Sequence, residues 1–205
     1  MHYHVPSNMK FFTKRQRRNN MKRTIKGMIL TISMFCAGQA VASFTAADAK
    51  QLETDASAAV ARFQSETKGA ETLLNEAKGI LVCPKITKAG FVVGGESGEC
   101  VMQVGGKTVE YYANHAGKIG LVAGIQWYSL ILVFNEQEAL DKFHTGKREF
   151  EIGADASVAV AKVGAGGSLD TTNLKGAIVA FTFGEKGLMG DLSIEGATFK
   201  KLQVE

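Results

Sequence analysis

Histidine and cysteine are scarce in this sequence, although most catalytic and metal sites need one or the other. The 205 residues contain 4 His and 3 Cys, and beyond residue 42 these reduce to His115, His144, Cys83 and Cys100. No two of them have the close spacing of zinc ligands, and no Gly-x-Ser-x-Gly nucleophile motif occurs. Cys83 and His115 would be a thiol–imidazole pair, but no local motif supports it. The sequence therefore predicts no catalytic residue and no metal site.

A complete nucleotide-binding motif is also missing. The glycine-rich stretch at residues 164–168 lacks the spaced third glycine of a dinucleotide fingerprint and does not end in Gly-Lys-Ser/Thr. Asp170, Thr171 and Thr172 follow it where the fingerprint requires the start of a helix. These glycines are better explained as turns and bulges. We expect no cofactor and no enzymatic activity.

The basic character of the chain is confined to its N-terminus. The formal net charge is +4, from 24 Lys and Arg against 20 Asp and Glu, but the first 42 residues hold 8 of the cations and none of the anions. The other 163 residues therefore carry 16 cations and 20 anions, a net charge of −4. A mildly acidic domain without a dense basic patch gives no support for a nucleic-acid surface. No nucleic-acid partner is expected.

The N-terminus has the three parts of a secretory signal peptide. Residues 22–26 are basic, residues 27–35 form an apolar run, and Ala40-Val41-Ala42 matches the small-x-small pattern that signal peptidase cleaves. The apolar run is shorter than the roughly 20 residues that cross a bilayer, so a retained membrane anchor is the weaker interpretation.

These features predict a leader and signal peptide over residues 1–42, with Met21 as the natural start and cleavage after Ala42. A single domain follows over residues 43–205, exported to a bacterial periplasm. Cys83 and Cys100 remain in it, and an even number of cysteines in an oxidising compartment favours a disulfide between them. Two buried thiols that act as small apolar groups are the alternative.

Residues 47–77 have the pattern of an amphipathic helix. The segment is rich in Ala, Glu, Lys and Leu, contains no Pro, and repeats apolar residues mostly at three- and four-residue steps. Gly69 indicates a break in it. The apolar side of such a helix usually packs on the protein's own core, and contact with a membrane surface or a partner is the alternative.

After Gly79 the sequence changes to short apolar, β-branched runs separated by glycines. They predict antiparallel strands at residues 80–83, 91–93, 100–104, 108–112, 119–123 and 128–134. Val104-Gly105-Gly106-Lys107 is the clearest hairpin signal between two of these strands. Further strands are expected at residues 156–163, 178–183 and 192–199.

A short internal helix is predicted at residues 136–144, with Asn135 as its N-cap and with Leu140 and Phe143 facing inward. Helices do not alternate with strands, which argues against a doubly wound fold. The predicted class is α+β: a glycine-rich antiparallel sheet, curled towards a barrel, covered by the N-terminal amphipathic helix and the short internal helix.

Four ordered motifs of the sequence resemble the SYLF domain family, which is also described as the yeast actin-regulator type domain. They are AKGILVCPKITKAGFVVGGESGE at residues 77–99, GLVAGIQ at 120–126, GADASVAV at 153–160 and FGEKGLM at 183–189. The resemblance extends over nearly all of the chain beyond residue 47. It implies a non-enzymatic domain that binds membrane lipids, in which the N-terminal amphipathic segment contributes to membrane contact.

The expected function is therefore an envelope-associated domain that contacts anionic phospholipid peripherally. A structural or protein-interaction module of the envelope, with an envelope protein as partner, is the alternative. The apolar candidates for lipid contact are Leu52 and Phe63. The cationic candidates are Lys50, Arg62, Lys68, Lys78, Lys85 and Lys88. If Leu52 and Phe63 are instead buried against the sheet, their replacement will unfold the domain without a specific membrane effect.

Overall fold

The computed structural model of the chain describes residues 43–145, 149–161, 174, 176–186, 194 and 196–205. Side chains are described at these positions except 91–92, 118–123 and 185–186, where the description is limited to the backbone. Residues Ser43–Glu205 form one compact unit. The predicted leader and signal peptide lie outside the described residues, as does the glycine-rich stretch at 164–168.

The N-terminal amphipathic segment folds as two helices, α1 (Ala46–Glu66) and α2 (Ala70–Glu76). A capping box begins α1: the Asp48 amide donates to the Thr45 hydroxyl at 3.3 Å, and the Asp48 carboxylate accepts from the Thr45 amide at 2.9 Å. Gly69 has a left-handed φ of 82° between the two helices, a conformation without penalty for glycine alone. The predicted helix and its break at Gly69 are confirmed.

Two long antiparallel strands form the centre of the sheet, β1 (Gly79–Val104) and β2 (Lys107–Phe134). Gly105 and Gly106 join them with φ values of 58° and 75°, as a two-residue turn with both central residues at positive φ requires. This hairpin is confirmed. The prediction of six short strands is wrong, because the glycines between the apolar runs lie within β1 and β2 and occupy positions of the ladder.

The strand β1 folds back on itself at residues 90–94. A Cβ placed on Gly94 would lie 2.8 Å from the carbonyl oxygen of Ala89, and one placed on Gly98 would lie 2.7 Å from that of Lys85. So close an approach of backbone to backbone requires glycine. The two halves of β1 therefore lie against each other, and since β2 follows β1 around the bend, the sheet curls into a half-barrel.

Four shorter strands extend the sheet on either side of β2. The strand β5 (Ile178–Lys186) pairs with the end of β2, and β4 (Ala159–Ala161) pairs with β5. The strand β6 (Thr198–Lys201) pairs with β2 near Tyr112, and β3 (Glu149–Glu151) pairs with β6. The β4–β5 pairing is parallel, so the sheet is mixed, and the antiparallel prediction holds for the other strand pairs described.

The internal helix α3 (Gln137–Thr145) follows β2, and its Leu140 and Phe143 are buried as predicted. The N-cap prediction is wrong, because α3 begins two residues after Asn135. The Asn135 amide nitrogen instead donates to the carbonyl oxygens of Leu174 and Gly176 at 3.0 and 2.8 Å.

Each face of the sheet carries its own core. On the face covered by α1, here called the α1 face, Val82, Val101 and Ile131 pack against the helix. On the opposite face, the α3 face, Leu81 and Leu130 pack with Leu140 and Phe143 of α3 among others. The chain is thus an α+β domain with a curled sheet covered by helices, as the sequence predicts. The structure adds that α1 and α3 pack on opposite faces of the sheet.

Candidate functional site

The α1 face continues beyond α1 towards the bend of β1, and there it exposes apolar side chains. Alternation along β2 places Ile125 and Trp127 on the same face as Ile131, which lies beneath α1. Ile125 is 60% exposed, Trp127 is 41% exposed, and Val93 on β1 is 69% exposed. We call Val93, Ile125 and Trp127 the tip patch.

A β-bulge brings a cation to the tip patch. The β1–β2 register shifts between Cys83 and Ile86, so that Pro84 and Lys85 together oppose Ser129. The Ser129 hydroxyl donates to the Pro84 carbonyl oxygen at 2.8 Å and holds the bulge. The Lys85 Nζ lies 5.8 Å from the centroid of the Trp127 ring, within the range of a cation–π contact.

A groove of about 460 Å³ lies on the α1 face beside α1. Its apolar lining comes from Leu52, Pro84 and Ala113, with Thr87 and Ser97 adding hydroxyl groups. Its ionisable side chains are Asp55 of α1, Lys85 and Glu99 of β1, and His115 of β2. The groove adjoins the tip patch, because Thr87 is the ladder partner of Trp127 and Lys85 lies over the Trp127 ring.

The groove contains both signs of charge. Burial raises the pKa of the Glu99 carboxyl above its ordinary value, and the charge of Asp48 on α1 raises it further. Asp55 adds a second carboxylate and Lys85 an ammonium group. The groove can therefore contact a polar group that carries both charges.

Two sequence-predicted lipid contacts are core residues. Leu52 is 6% exposed and Phe63 is fully buried, with the Phe63 ring centroid 5.1 Å from that of Phe181 and 5.3 Å from that of Phe183. Leu52 and Phe63 are therefore buried against the sheet, which was the alternative to lipid contact. An apolar membrane surface on α1 built from Leu52 and Phe63 is therefore not present in this conformation.

The cationic candidates differ in how far they are exposed. Lys50, Lys68, Lys78 and Lys85 are exposed, whereas Lys88 is only 8% exposed. The Arg62 guanidinium is engaged by the protein itself, through Ser129, Glu66 and the Phe183 ring. Lys85 is the one among these candidates that the structure brings to the groove and the tip patch.

The Cys83–Cys100 disulfide is present, with an S–S distance of 2.01 Å and a Cα–Cα distance of 4.1 Å. Both residues are fully buried on the α3 face. The bond joins the two halves of β1 and so fixes the strand behind the groove. The predicted pairing is confirmed.

A second charged cluster centres on Glu110, outside the groove. Its carboxylate accepts hydrogen bonds from Lys201 at 2.7 Å and from Tyr112, and lies 2.9 Å from the His144 Nδ1. Burial raises the pKa of Glu110, but the hydrogen bonds from Lys201 and Tyr112 and the neighbouring cations outweigh it, so the net pKa is lowered. Burial and Glu110 raise the pKa of Tyr112. The cluster joins β2, β6 and α3, and its members bind one another.

Within the described ranges, no group of His, Cys, Asp and Glu side chains is arranged to hold a metal ion. None of the helices described there has the length and apolar character to cross a membrane.

The curled sheet and mixed-charge groove are features of a binding module. Residues 115–203 match the Ysc84 family model, described as Las17-binding protein actin regulator, which confirms the SYLF resemblance over this range. It is a family of binding domains, linked to lipid and protein binding in general, and not of enzymes. A comparison with curated proteins gave no match.

Sequence reasoning identified Lys85 but missed the tip patch and the groove. One signal was present: Ile125 and Trp127 alternate with Gln126, as apolar residues on one strand face do. Their alternation does not show that α1 leaves them exposed. The groove combines residues from α1, both halves of β1 and β2, which are distant in the sequence.

Proposed function

We propose that this chain is a non-enzymatic envelope domain that binds phospholipid membranes peripherally through the tip patch and Lys85. The observation that carries the proposal is the exposure of Ile125 and Trp127 on the α1 face beside the Lys85 ammonium group, with Val93 exposed on β1. Tryptophan favours the boundary between headgroups and acyl chains, because its ring is apolar and its N–H is polar.

The expected affinity is modest and depends on salt. Full burial of a Val or Ile side chain contributes about 1.5–3 kcal/mol, and shallow insertion at the interface recovers part of that. A lysine near an anionic surface contributes about 1 kcal/mol, within a Debye length of it. Since the domain carries a net charge of −4, Lys85 must act locally against an overall repulsion.

The proposed location is the bacterial periplasm, reached by the signal peptide over residues 1–42. The support is the order of basic residues, apolar run and Ala40-Val41-Ala42. N-terminal sequencing of the protein exported from bacteria tests this directly. Ser43 as first residue agrees with the proposal, and recovery of a chain that begins at Met21 contradicts it.

Vesicle flotation tests membrane binding. The exported protein is mixed with vesicles of phosphatidylethanolamine and phosphatidylglycerol, and the variant Val93→Ser/Ile125→Ser/Trp127→Ser is compared with the native chain. The three side chains are exposed, so the variant should fold, and circular dichroism checks this. We expect flotation of the native protein at low salt, weaker flotation at high salt, and loss of flotation by the variant.

Val109→Ser is the matched control, because Val109 is also an exposed apolar residue, 44% accessible, but lies near the Gly105-Gly106 turn. It should float like the native protein. No association of the native chain with vesicles at low salt would refute the membrane proposal and favour the envelope protein-interaction module instead.

A further inference from the structure

The groove has the chemistry of a lipid headgroup site, and it adjoins the surface that is proposed to enter the membrane. Lys85 lines the groove and also lies over the Trp127 ring, and Thr87 of the groove is paired with Trp127 across the ladder. A lipid whose acyl chains meet the tip patch would therefore have its headgroup at the groove. This step rests on the proposed function.

We propose that the groove binds a phosphoethanolamine group, with Lys85 contacting the phosphate and the Glu99 and Asp55 carboxylates receiving the ammonium. The same group occurs as the headgroup of phosphatidylethanolamine and as free phosphoethanolamine.

The backbone segments that carry Lys85 and Glu99 are adjacent because the two halves of β1 lie against each other. Gly98 approaches Lys85 so tightly that a Cβ on Gly98 would lie 2.7 Å from the Lys85 carbonyl oxygen, and Glu99 is the next residue along the strand. Lys85 and Glu99 thus leave adjacent backbone segments and line one groove. A short zwitterion in the groove can therefore meet a cation and a carboxylate at once.

Charge selects against the simpler ligands. A headgroup that is only anionic would meet Lys85 but also two carboxylates, and like charges in contact disfavour binding. A ligand that is only cationic would be repelled by the Lys85 ammonium group. Phosphoethanolamine places its phosphate against Lys85 and its ammonium against the carboxylates. The hydroxyls of Thr87 and Ser97 supply further hydrogen-bond partners for phosphate oxygens.

The state of Glu99 supports an ammonium partner. Burial and the charge of Asp48 raise the pKa of Glu99, and both causes disfavour its carboxylate form. An ammonium group beside it would favour the ionised carboxylate and lower that pKa. A primary ammonium donates hydrogen bonds to carboxylates, whereas the trimethylammonium of choline has no N–H, so the groove should distinguish the two.

The test uses vesicles with a fixed fraction of phosphatidylglycerol and either phosphatidylethanolamine or phosphatidylcholine as the remainder. One neutral hydrogen bond corresponds to about 2- to 10-fold in affinity. Solvent screening at the exposed Glu99 brings a charge-assisted bond towards this range, so we expect the native protein to bind the ethanolamine vesicles tighter by about that factor. Glu99→Gln should remove this preference and still bind both kinds of vesicle. Lys85→Gln should weaken binding to both.

Glu149→Gln is the control, because Glu149 is an exposed carboxylate that pairs with Lys200 on β6, outside the groove. It should keep the native preference. Equal binding of the native protein to both vesicles, or an unchanged preference in Glu99→Gln, would overturn the headgroup site and leave the membrane proposal standing.

Titration of free phosphoethanolamine, followed by NMR at the His115 ring and the Glu99 carboxyl, separates the two sources of the ligand. We expect saturable shifts and a lower pKa for Glu99, with weaker or no shifts from phosphocholine. Shifts without any vesicle binding would support the site and refute the membrane function. No shifts together with no vesicle preference would refute the site.

Discussion

The guanidinium group of Arg62 lies over the ring of Phe183, with its central carbon 4.9 Å from the ring centroid. It also covers the backbone of Gly184, where a Cβ would collide with the guanidinium nitrogens. Arg62 donates to the Ser129 hydroxyl at 3.4 Å as well. The residue thus ties the end of α1 to β2 and β5.

Gly184→Ala should destabilise the domain more than Gly196→Ala does. Both glycines have positive φ, 66° and 77°, but a Cβ on Gly196 would meet no atom of the described residues within 4 Å. Both changes carry the left-handed backbone cost of about 1–2 kcal/mol, and Gly184→Ala also displaces Arg62, which adds about 0.5–1 kcal/mol. Urea unfolding measures the difference. When Arg62 is also replaced by Ala, Gly184→Ala should destabilise the domain no more than Gly196→Ala does. A larger loss from Gly184→Ala in that double variant would contradict the role given to Arg62.

Phe63→Ala should unfold or strongly destabilise the domain, with a loss of about 3–5 kcal/mol in the free energy of unfolding. Its ring is fully buried between α1 and β5, so the loss is one of core packing. Ala61→Ser, at an exposed position of the same helix, should change stability by less than about 0.5 kcal/mol. A folded Phe63→Ala protein that loses only vesicle binding would restore Phe63 as a lipid contact.

Reduction of the Cys83–Cys100 disulfide should destabilise the domain by about 3 kcal/mol in the chain-entropy model, because the cysteines are separated by 17 positions. Cys83→Ala/Cys100→Ala should show a similar loss. The native chain and this variant are compared by urea unfolding with and without dithiothreitol. Most of the difference should vanish in the reductant, and a difference of equal size under both conditions would assign the effect to packing.

Asn114→Leu should raise the free energy of unfolding by about 1 kcal/mol. The Asn114 side chain is fully buried, and neither its Oδ1 nor its Nδ2 has a hydrogen-bond partner among the described residues. Asn135→Leu is the contrasting control, because the Asn135 Nδ2 makes two hydrogen bonds, and its loss should destabilise by about 1–2 kcal/mol. Thermal and urea unfolding of both variants measures the sign, and a destabilised Asn114→Leu would contradict an unpartnered amide.

Glu110→Gln should lower the free energy of unfolding at neutral pH by about 1 kcal/mol, because it weakens charged hydrogen bonds that are only partly buried. The pKa of Glu110 is lowered in the folded state, so its contribution is full above the ordinary value of 4.5 and is lost as the pH falls through the lowered value. The native and variant stabilities should therefore converge in acid. A difference that stays constant from neutral to acid pH would contradict this assignment.

Local features of the fold could be predicted because nearby residues determine them. The break at Gly69 and the turn at Gly105-Gly106 need positive φ, which glycine provides at once. The helix at α1 follows from its apolar spacing. The N-cap at Asn135 failed because its amide binds the distant carbonyls of Leu174 and Gly176, which no local pattern shows.

The tertiary structure decided where the strands bend and which apolar residues are exposed. A glycine in a β-rich segment serves equally as a turn or as a point of close backbone approach, and Gly94 and Gly98 are the latter only because the two halves of β1 meet. An apolar stripe on a helix looks the same whether a sheet or a membrane covers it, so Leu52 and Phe63 were ambiguous until the sheet beneath α1 was placed. The sequence by itself determined the element types, the disulfide partners and the family resemblance. Long-range packing alone brought Lys85 and Glu99 into one groove and left Trp127 uncovered beside it.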